Sequence, residues 1–108
     1  MKKTVVIALG GNAIIKKGEK ETPYNLIKNI RKTCKIIVPI IKNNNVVVTF
    51  GNGPEIGYLA LQNQIAKYKI PPMPLDILGA ESQGLIGYPL EEQLLNEFRI
   101  KKIKKHVV

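Results

Sequence analysis

Two clusters of glycine and asparagine are the residues of this chain best suited to bind a ligand: Gly10-Gly11-Asn12 and Gly51-Asn52-Gly53. Glycine lets the backbone turn sharply and approach a ligand, because no Cβ stands in the way. Backbone N–H groups at the start of a helix bind anions, and asparagine adds side-chain donors. Each cluster taken alone is equally consistent with a tight turn between a strand and a helix, but two matched clusters favour a site. Together they predict a cradle for a phosphate or a carboxylate.

The clusters follow two short apolar runs, Thr4–Leu9 and Val46–Phe50. Continuous apolar runs rich in β-branched residues are typical of strands buried on both faces of a parallel sheet. Between them, Thr22-Pro23 predicts an N-cap followed by proline in the first helical turn. The carboxyl ends of parallel strands lie along one edge of the sheet, where ligands of open α/β sheets bind. We therefore expect the two clusters to lie side by side.

The helices are predicted from proline positions and from apolar periodicity. The first carries an apolar stripe at steps of three and four residues, namely Leu26, Ile30, Cys34, Ile37 and Ile41. Pro54 opens a second helix that extends to about Tyr68, and Leu75–Tyr88 reads as a helical stretch containing glycine. Pro89 restarts a further helix with the stripe Leu90, Leu94 and Phe98, and Val107-Val108 resembles the beginning of a strand. Strands alternating with helices predict an α/β domain with a parallel sheet and right-handed crossovers.

The composition of the chain limits the classes of function that it could have. The chain has 108 residues, one domain in length, with a net charge of +9 that attracts anions. Its bias towards Lys, Ile and Asn can reflect genome composition alone, and its aromatic content of 6% gives little surface for base stacking. No apolar run is long enough to span a bilayer. A single cysteine excludes an internal disulfide and a cysteine-built metal site, so we predict no metal site.

The other reactive side chains are weaker candidates, so the sequence identifies no catalytic residue. His106, the single histidine, lies in a basic tail without a carboxylate neighbour in sequence, which disfavours general-base catalysis. Cys34 lies on the apolar stripe, which favours core packing. Asp76 lies near a helix start, where its negative charge interacts favourably with the helix dipole, which favours a structural role over catalysis. The lysines from Lys101 onward are typical of a solvated run.

Three segments carry a family resemblance: Ile7–Ala13, Val47–Gly57 and Met73–Tyr88. In this order they resemble the successive signatures of carbamate kinase, a member of the amino acid kinase family, and the resemblance extends to about Phe98. It implies a three-layer α/β/α sandwich with a parallel sheet and a cytoplasmic homo-oligomer in arginine metabolism. It also implies reversible phosphoryl transfer between carbamoyl phosphate and ADP with Mg²⁺, giving ATP, carbon dioxide and ammonia. In the family, the loops that match Gly10, Gly11, Asn12 and Gly51, Asn52, Gly53 hold carbamate and the transferred phosphoryl group. The resemblance assigns Glu81, Ser82 and Gln83 a structural or subunit-contact role, although sequence alone does not separate this from substrate contact.

The chain departs from the family pattern in its length and at two positions, and these departures bear on whether it is active as a kinase. Family members are much longer, and their C-terminal half supplies the nucleotide site, catalytic lysines and an aspartate. Residues 1–108 therefore resemble the N-terminal portion, with the C-terminal nucleotide-binding portion absent. Phe50 stands where the family usually has His, and Glu55 stands where it usually has Gln. A carboxylate suits a helix N-terminus but repels a bound phosphate.

These departures predict that the chain by itself is not an active kinase. It would be a truncated product, a relic, or one half of a split enzyme that pairs with a complementary C-terminal chain. The alternatives are a stand-alone anion-binding or interaction module and, with support only from net charge, a nucleic-acid-binding protein.

Overall fold

The computed structural model describes residues 2–108. Its elements are β1 (Thr4–Leu9), a short 3-10 turn (Gly11–Ala13), α1 (Pro23–Asn43), β2 (Asn45–Phe50), α2 (Gly53–Ala66) and α3 (Leu75–Ile100). The residues form two compact units, one comprising the chain up to Gly51 together with Pro89–Val108, and the other comprising Asn52–Tyr88. A parallel sheet combined with helices confirms the predicted α/β class.

The sheet of the first unit consists of β1 and β2, paired in parallel from Thr4 opposite Asn45 to Leu9 opposite Phe50. Burial alternates along both strands. Ile7 and Val48 are among the residues that pack against the core, whereas Val6 is 64% exposed and Val47 is 50% exposed. Burial on both faces was expected, but the described residues cover only one face, as an alternating pattern requires.

Helix α1 begins and packs as its sequence predicts. The Thr22 hydroxyl accepts a hydrogen bond of 3.1 Å from the backbone N–H of Asn25, and Pro23 occupies the first turn. Thr22 thereby satisfies one of the N–H groups that a helix start leaves without an intrahelical partner. The predicted stripe forms the buried face of the helix, with Ile30, Cys34, Ile37, Val38 and Ile41 in the core.

Helix α3 differs from the prediction, because Leu75–Ile100 is one continuous helix with Pro89 inside it. The expected restart at Pro89 was wrong. An interior proline loses one backbone hydrogen bond and costs about 3 kcal/mol or more. Leu90, Leu94 and Phe98 follow the proline and are buried against α1. Each such burial contributes about 1.5–3 kcal/mol, so the three together outweigh the cost of the proline.

The end of α3 is stabilised by a backbone motif and by a lysine. The N–H of Ile103 donates to the carbonyl of Phe98 at 2.8 Å, and Lys102 adopts a φ of 55°. This is the Schellman arrangement, in which the residue after the helix end takes a left-handed conformation. Lys105 donates to the carbonyls of Ile41 and Asn44 at the end of α1, so it is not simply solvated. No strand forms at residues 107–108, where one was expected.

Two further features concern membranes and metals. Across residues 2–108, no helix is both long enough and apolar enough to cross a membrane. Within the same residues, the side chains of His, Cys, Asp and Glu do not gather into a group of three or more that would hold a metal ion.

Candidate functional site

The structure brings part of each glycine cluster to one edge of the sheet. Leu9 and Phe50 are paired at the carboxyl ends of β1 and β2, and Gly10 and Gly51 follow them directly. Gly11 and Asn12 continue from Gly10 into the 3-10 turn within the same unit. Asn52 and Gly53 follow Gly51 in the chain but belong to the second unit, where they open α2.

The space beside the clustered glycines is open. A Cβ added at Gly10, Gly11, Gly51 or Gly53 would meet no atom of the chain within 4 Å. None of the four has a positive φ, and Gly10 has the extended conformation φ −76° and ψ 167°. Internal packing and backbone strain therefore do not require glycine at these positions. Their exposed backbone and the free space beside it suit the close approach of a ligand.

The two predicted asparagines have different hydrogen-bond partners. The Oδ1 atom of Asn12 accepts from the backbone N–H of Lys17 at 3.2 Å. The Nδ2 atom of Asn52 donates to the Oγ atom of Ser82 at 2.6 Å. Because an amide carries both a donor and an acceptor group, Asn12 keeps its NH₂ group for a ligand and Asn52 keeps its oxygen. Asn12 thus presents the donor that an anion requires.

Helix α1 holds the segment that follows β1 through two polar side chains one turn apart. Thr33 Oγ1 donates to the carbonyl of Ala13 at 3.0 Å, and Asn29 Nδ2 donates to the carbonyl of Ile14 at 3.0 Å. Asn29 Nδ2 also donates to Glu19 Oε2 at 2.7 Å. That bond, together with one from the backbone N–H of Lys16, lowers the pKa of Glu19. This network was not predicted from the sequence, although Asn29 and Thr33, polar residues four apart on a helix, were its visible signal.

Ser82 occupies a buried position on α3 within the second unit. Its side chain is fully buried, and its Oγ atom donates to the carbonyl of Gly79 at 2.6 Å while accepting from Asn52. Its neighbours Glu81 and Gln83 are exposed. Of the three residues that sequence alone left undecided between structure and substrate contact, Ser82 is therefore the one in contact with a predicted site residue.

The two departures from the family pattern occupy different environments. Phe50 packs against the hydrophobic core of the first unit. Glu55 lies in the first turn of α2, where it is 6% exposed, and its Oε2 atom finds no hydrogen-bond partner among the described residues. A buried carboxylate oxygen without a hydrogen-bond partner is costly, and its negative charge in the first turn of α2 disfavours an anion at that helix start.

A basic groove of about 680 Å³ runs along α1 in the first unit. Its cationic lining consists of Lys16, Lys28, Arg31, Lys32 and Lys35. Lys28 forms an ion pair of 3.4 Å with Glu19, and Arg31 donates to Gln93 Oε1 at 3.2 Å. Such a row of charges is typical of a solvated helix face, so the glycine clusters remain the stronger candidate.

The remaining reactive side chains have no catalytic arrangement. Cys34 is fully buried, and burial together with the charge of Glu97 raises the pKa of its thiol to about 12. A thiol of this kind is not a nucleophile at neutral pH. His106 is exposed in the segment after α3, and Asp76 lies in the first turn of α3 as expected.

Comparisons of sequence and of structure with known proteins both find carbamate kinases as similar proteins. No protein-family profile matches the chain. The carbamate kinase of Pyrococcus horikoshii is 45% identical over 111 residues, which cover 100% of this chain and 35% of that protein. The carbamate kinase of Rhizobium meliloti is 51% identical over 92 residues, which cover 85% of this chain and 28% of that protein. The structure of Giardia lamblia carbamate kinase bound to AMP-PNP superposes with a TM-score of 0.90 and 44% identity, covering 94% of this chain and 36% of that one. The chain thus spans about a third of the length of the curated relatives that it matches.

Proposed function

Since this chain is related in sequence and in fold to the carbamate kinases, we propose that it supplies the carbamate-binding side of such an enzyme. Gly10, Gly11, Asn12, Gly51, Asn52 and Gly53 would bind carbamate and the phosphoryl group of carbamoyl phosphate. The observation that carries this proposal is the open space beside the glycines at the ends of two paired parallel strands. Phosphoryl transfer needs mainly positioning and stabilisation of oxyanion charge, which backbone N–H groups provide.

The proposal assigns the nucleotide and Mg²⁺ to residues other than those described. Magnesium is held by oxygen ligands, usually one or two carboxylates together with substrate phosphates. Residues 2–108 contain no cluster of three or more candidate ligand side chains. The greater length of the curated relatives supports the assignment, because the match to this chain covers 35% of the Pyrococcus enzyme.

The wider setting of the protein is proposed from the same relation. It would be a cytoplasmic protein of arginine metabolism that works as a homo-oligomer or together with a complementary C-terminal chain. Its reaction would be the reversible transfer of a phosphoryl group between carbamoyl phosphate and ADP. The chain by itself would bind the carbamoyl side without catalysing that transfer.

A titration followed by NMR tests the binding proposal. Phosphonoacetamide is a suitable probe, because a methylene replaces the labile bridging oxygen of carbamoyl phosphate and makes the probe stable in water. We expect the amide signals of residues 10–12 and 51–53 to shift. Inorganic phosphate, which lacks the carbamoyl group, should bind more weakly and serves as the comparison. The absence of shifts from both loops would overturn the assignment.

An activity assay tests the second half of the proposal. The purified chain, incubated with carbamoyl phosphate, ADP and Mg²⁺, should form no ATP. A preparation from host cells that lack the chain, carried through the same purification, sets the background from contaminating host carbamate kinase. Turnover by the chain that clearly exceeds this background would refute the proposed division of labour.

A further inference from the structure

We infer that Ser82 is a positioning residue that orients the Asn52 carboxamide towards the amino group of carbamate. This inference rests on the proposed function, and it names how that site would distinguish a carbamoyl group from other acyl groups. Ser82 would touch no substrate in this arrangement. It acts through Asn52, to which it is joined by a hydrogen bond of 2.6 Å within the second unit.

The orientation follows from counting protons on the serine hydroxyl. A hydroxyl has one proton to donate and lone pairs with which to accept. Ser82 donates its proton to the carbonyl of Gly79, three residues earlier on α3, at 2.6 Å. Towards Asn52 the hydroxyl can therefore only accept. Asn52 must present its NH₂ group to Ser82, and its Oδ1 atom is turned away.

The oxygen of Asn52 is available to a ligand. Asn52 occupies the N-cap position of α2, where an asparagine oxygen ordinarily accepts from the first helical turn. Here it makes no capping hydrogen bond, and the residue is half-buried. Among the described residues the Oδ1 atom has no hydrogen-bond partner, and one of the two N–H bonds is also left unused. Asn52 thus offers an acceptor and a donor together.

A carbamoyl group matches this pair, whereas a phosphoryl group does not. The carbamoyl group carries N–H donors beside a carbonyl acceptor, but an ionised phosphoryl oxygen only accepts. Within the second unit, Asn52 would therefore bind the N–H donors of the carbamoyl group.

The test compares two probes in two variants of the full chain. Phosphonoacetamide and acetonylphosphonate have the same skeleton, but the second carries a methyl group in place of the amino group. The wild-type chain should bind phosphonoacetamide roughly tenfold more tightly, the effect of one hydrogen bond. In Ser82→Ala the preference should fall to about twofold or less, because the amide is free to rotate. Ser82→Thr retains the hydroxyl and should restore the preference.

Ser82→Ala is compatible with folding. Alanine has the highest helix propensity, and the carbonyl of Gly79 retains the backbone bond of an α-helix. Gly84→Ala, an exposed change on the same helix with nothing within 4 Å of the added Cβ, is the matched control and should leave the probe preference unchanged. The NMR signals of the Asn52 side-chain NH₂ group provide a readout that needs no ligand. They should shift in Ser82→Ala and keep their wild-type positions in Gly84→Ala.

The outcomes separate the two proposals. An unchanged probe preference in Ser82→Ala, or unchanged Asn52 side-chain signals, would overturn the positioning role of Ser82. Failure of the wild-type chain to bind either probe would instead overturn the proposed function. In that case the Asn52 signals still decide whether Ser82 orients the amide.

Discussion

Replacing Gly10 with alanine should move stability and ligand binding in opposite directions. The added Cβ meets no atom of the chain within 4 Å, and φ −76° with ψ 167° is a conformation that any residue adopts. A glycine-to-alanine change at such a position stabilises a protein by about 0.4–1 kcal/mol, because it reduces the freedom of the unfolded chain. The same methyl group occupies the space that we assign to the anion.

The expected loss of binding follows from the contacts that the methyl group would displace. A hydrogen bond from a backbone N–H to a charged ligand contributes about 1.5–3 kcal/mol. Losing one such contact weakens binding roughly tenfold to hundredfold, since about 1.4 kcal/mol corresponds to a factor of ten. Gly10→Ala should therefore be slightly more stable than the wild type and bind phosphonoacetamide far more weakly.

Urea unfolding and the phosphonoacetamide titration measure the two quantities separately. Gly84→Ala is the matched control, because it makes the same change at an exposed position inside α3, again with open space around the Cβ. It should gain about 0.5–1 kcal/mol, the cost of glycine inside a helix, and bind the probe like the wild type. Undiminished binding by Gly10→Ala would show that the ligand does not approach Gly10. A loss of stability would show that this glycine serves the fold.

Four further predictions concern charge and backbone conformation. Glu55→Gln removes a buried negative charge from the first turn of α2, which follows the proposed binding residues Asn52 and Gly53, and should strengthen phosphonoacetamide binding several-fold, as measured by the same titration. Lys102→Gly relieves the left-handed φ of 55° and should raise the free energy of unfolding by about 1 kcal/mol in urea. The raised pKa of Cys34, about 12 rather than 9.0, predicts slow alkylation of the thiol at neutral pH. It also predicts that the protein loses stability as the pH rises from about 9 towards 12, which thermal unfolding at several pH values would measure. The lowered pKa of Glu19 predicts the opposite pH dependence of stability. The stabilising contribution of Glu19 is present above the ordinary carboxyl pKa and is lost as the pH falls through the lowered value, which faster amide exchange at residues 13–19 would detect.

Features that depend on neighbouring residues were predictable from the sequence. The start of α1 was predicted because a threonine cap and a following proline act within one turn. Its buried face was predicted because apolar spacing sets which side of a helix packs. The placement of Gly10 and Gly51 at one sheet edge followed from the parallel pairing of the strands that precede them.

Features that depend on competition between distant groups were not predictable. Pro89 carries a local signal to begin a new helix, but the burial of Leu90, Leu94 and Phe98 against α1 keeps α3 continuous. Sequence likewise contains no sign that Lys105 would bind the end of α1. In both cases the deciding partner lies far away in the chain, so the outcome depends on tertiary packing.

The sequence by itself determined which residues could form the candidate site, since glycine and asparagine at the ends of two strands follow from residue type and local pattern. Only the tertiary structure decided what each asparagine can offer. Asn12 and Asn52 look alike in sequence, yet one keeps its NH₂ group and the other its oxygen. The reason is that an amide is turned by its hydrogen-bond partners, and the partner of Asn52 is a buried serine 30 residues further along the chain.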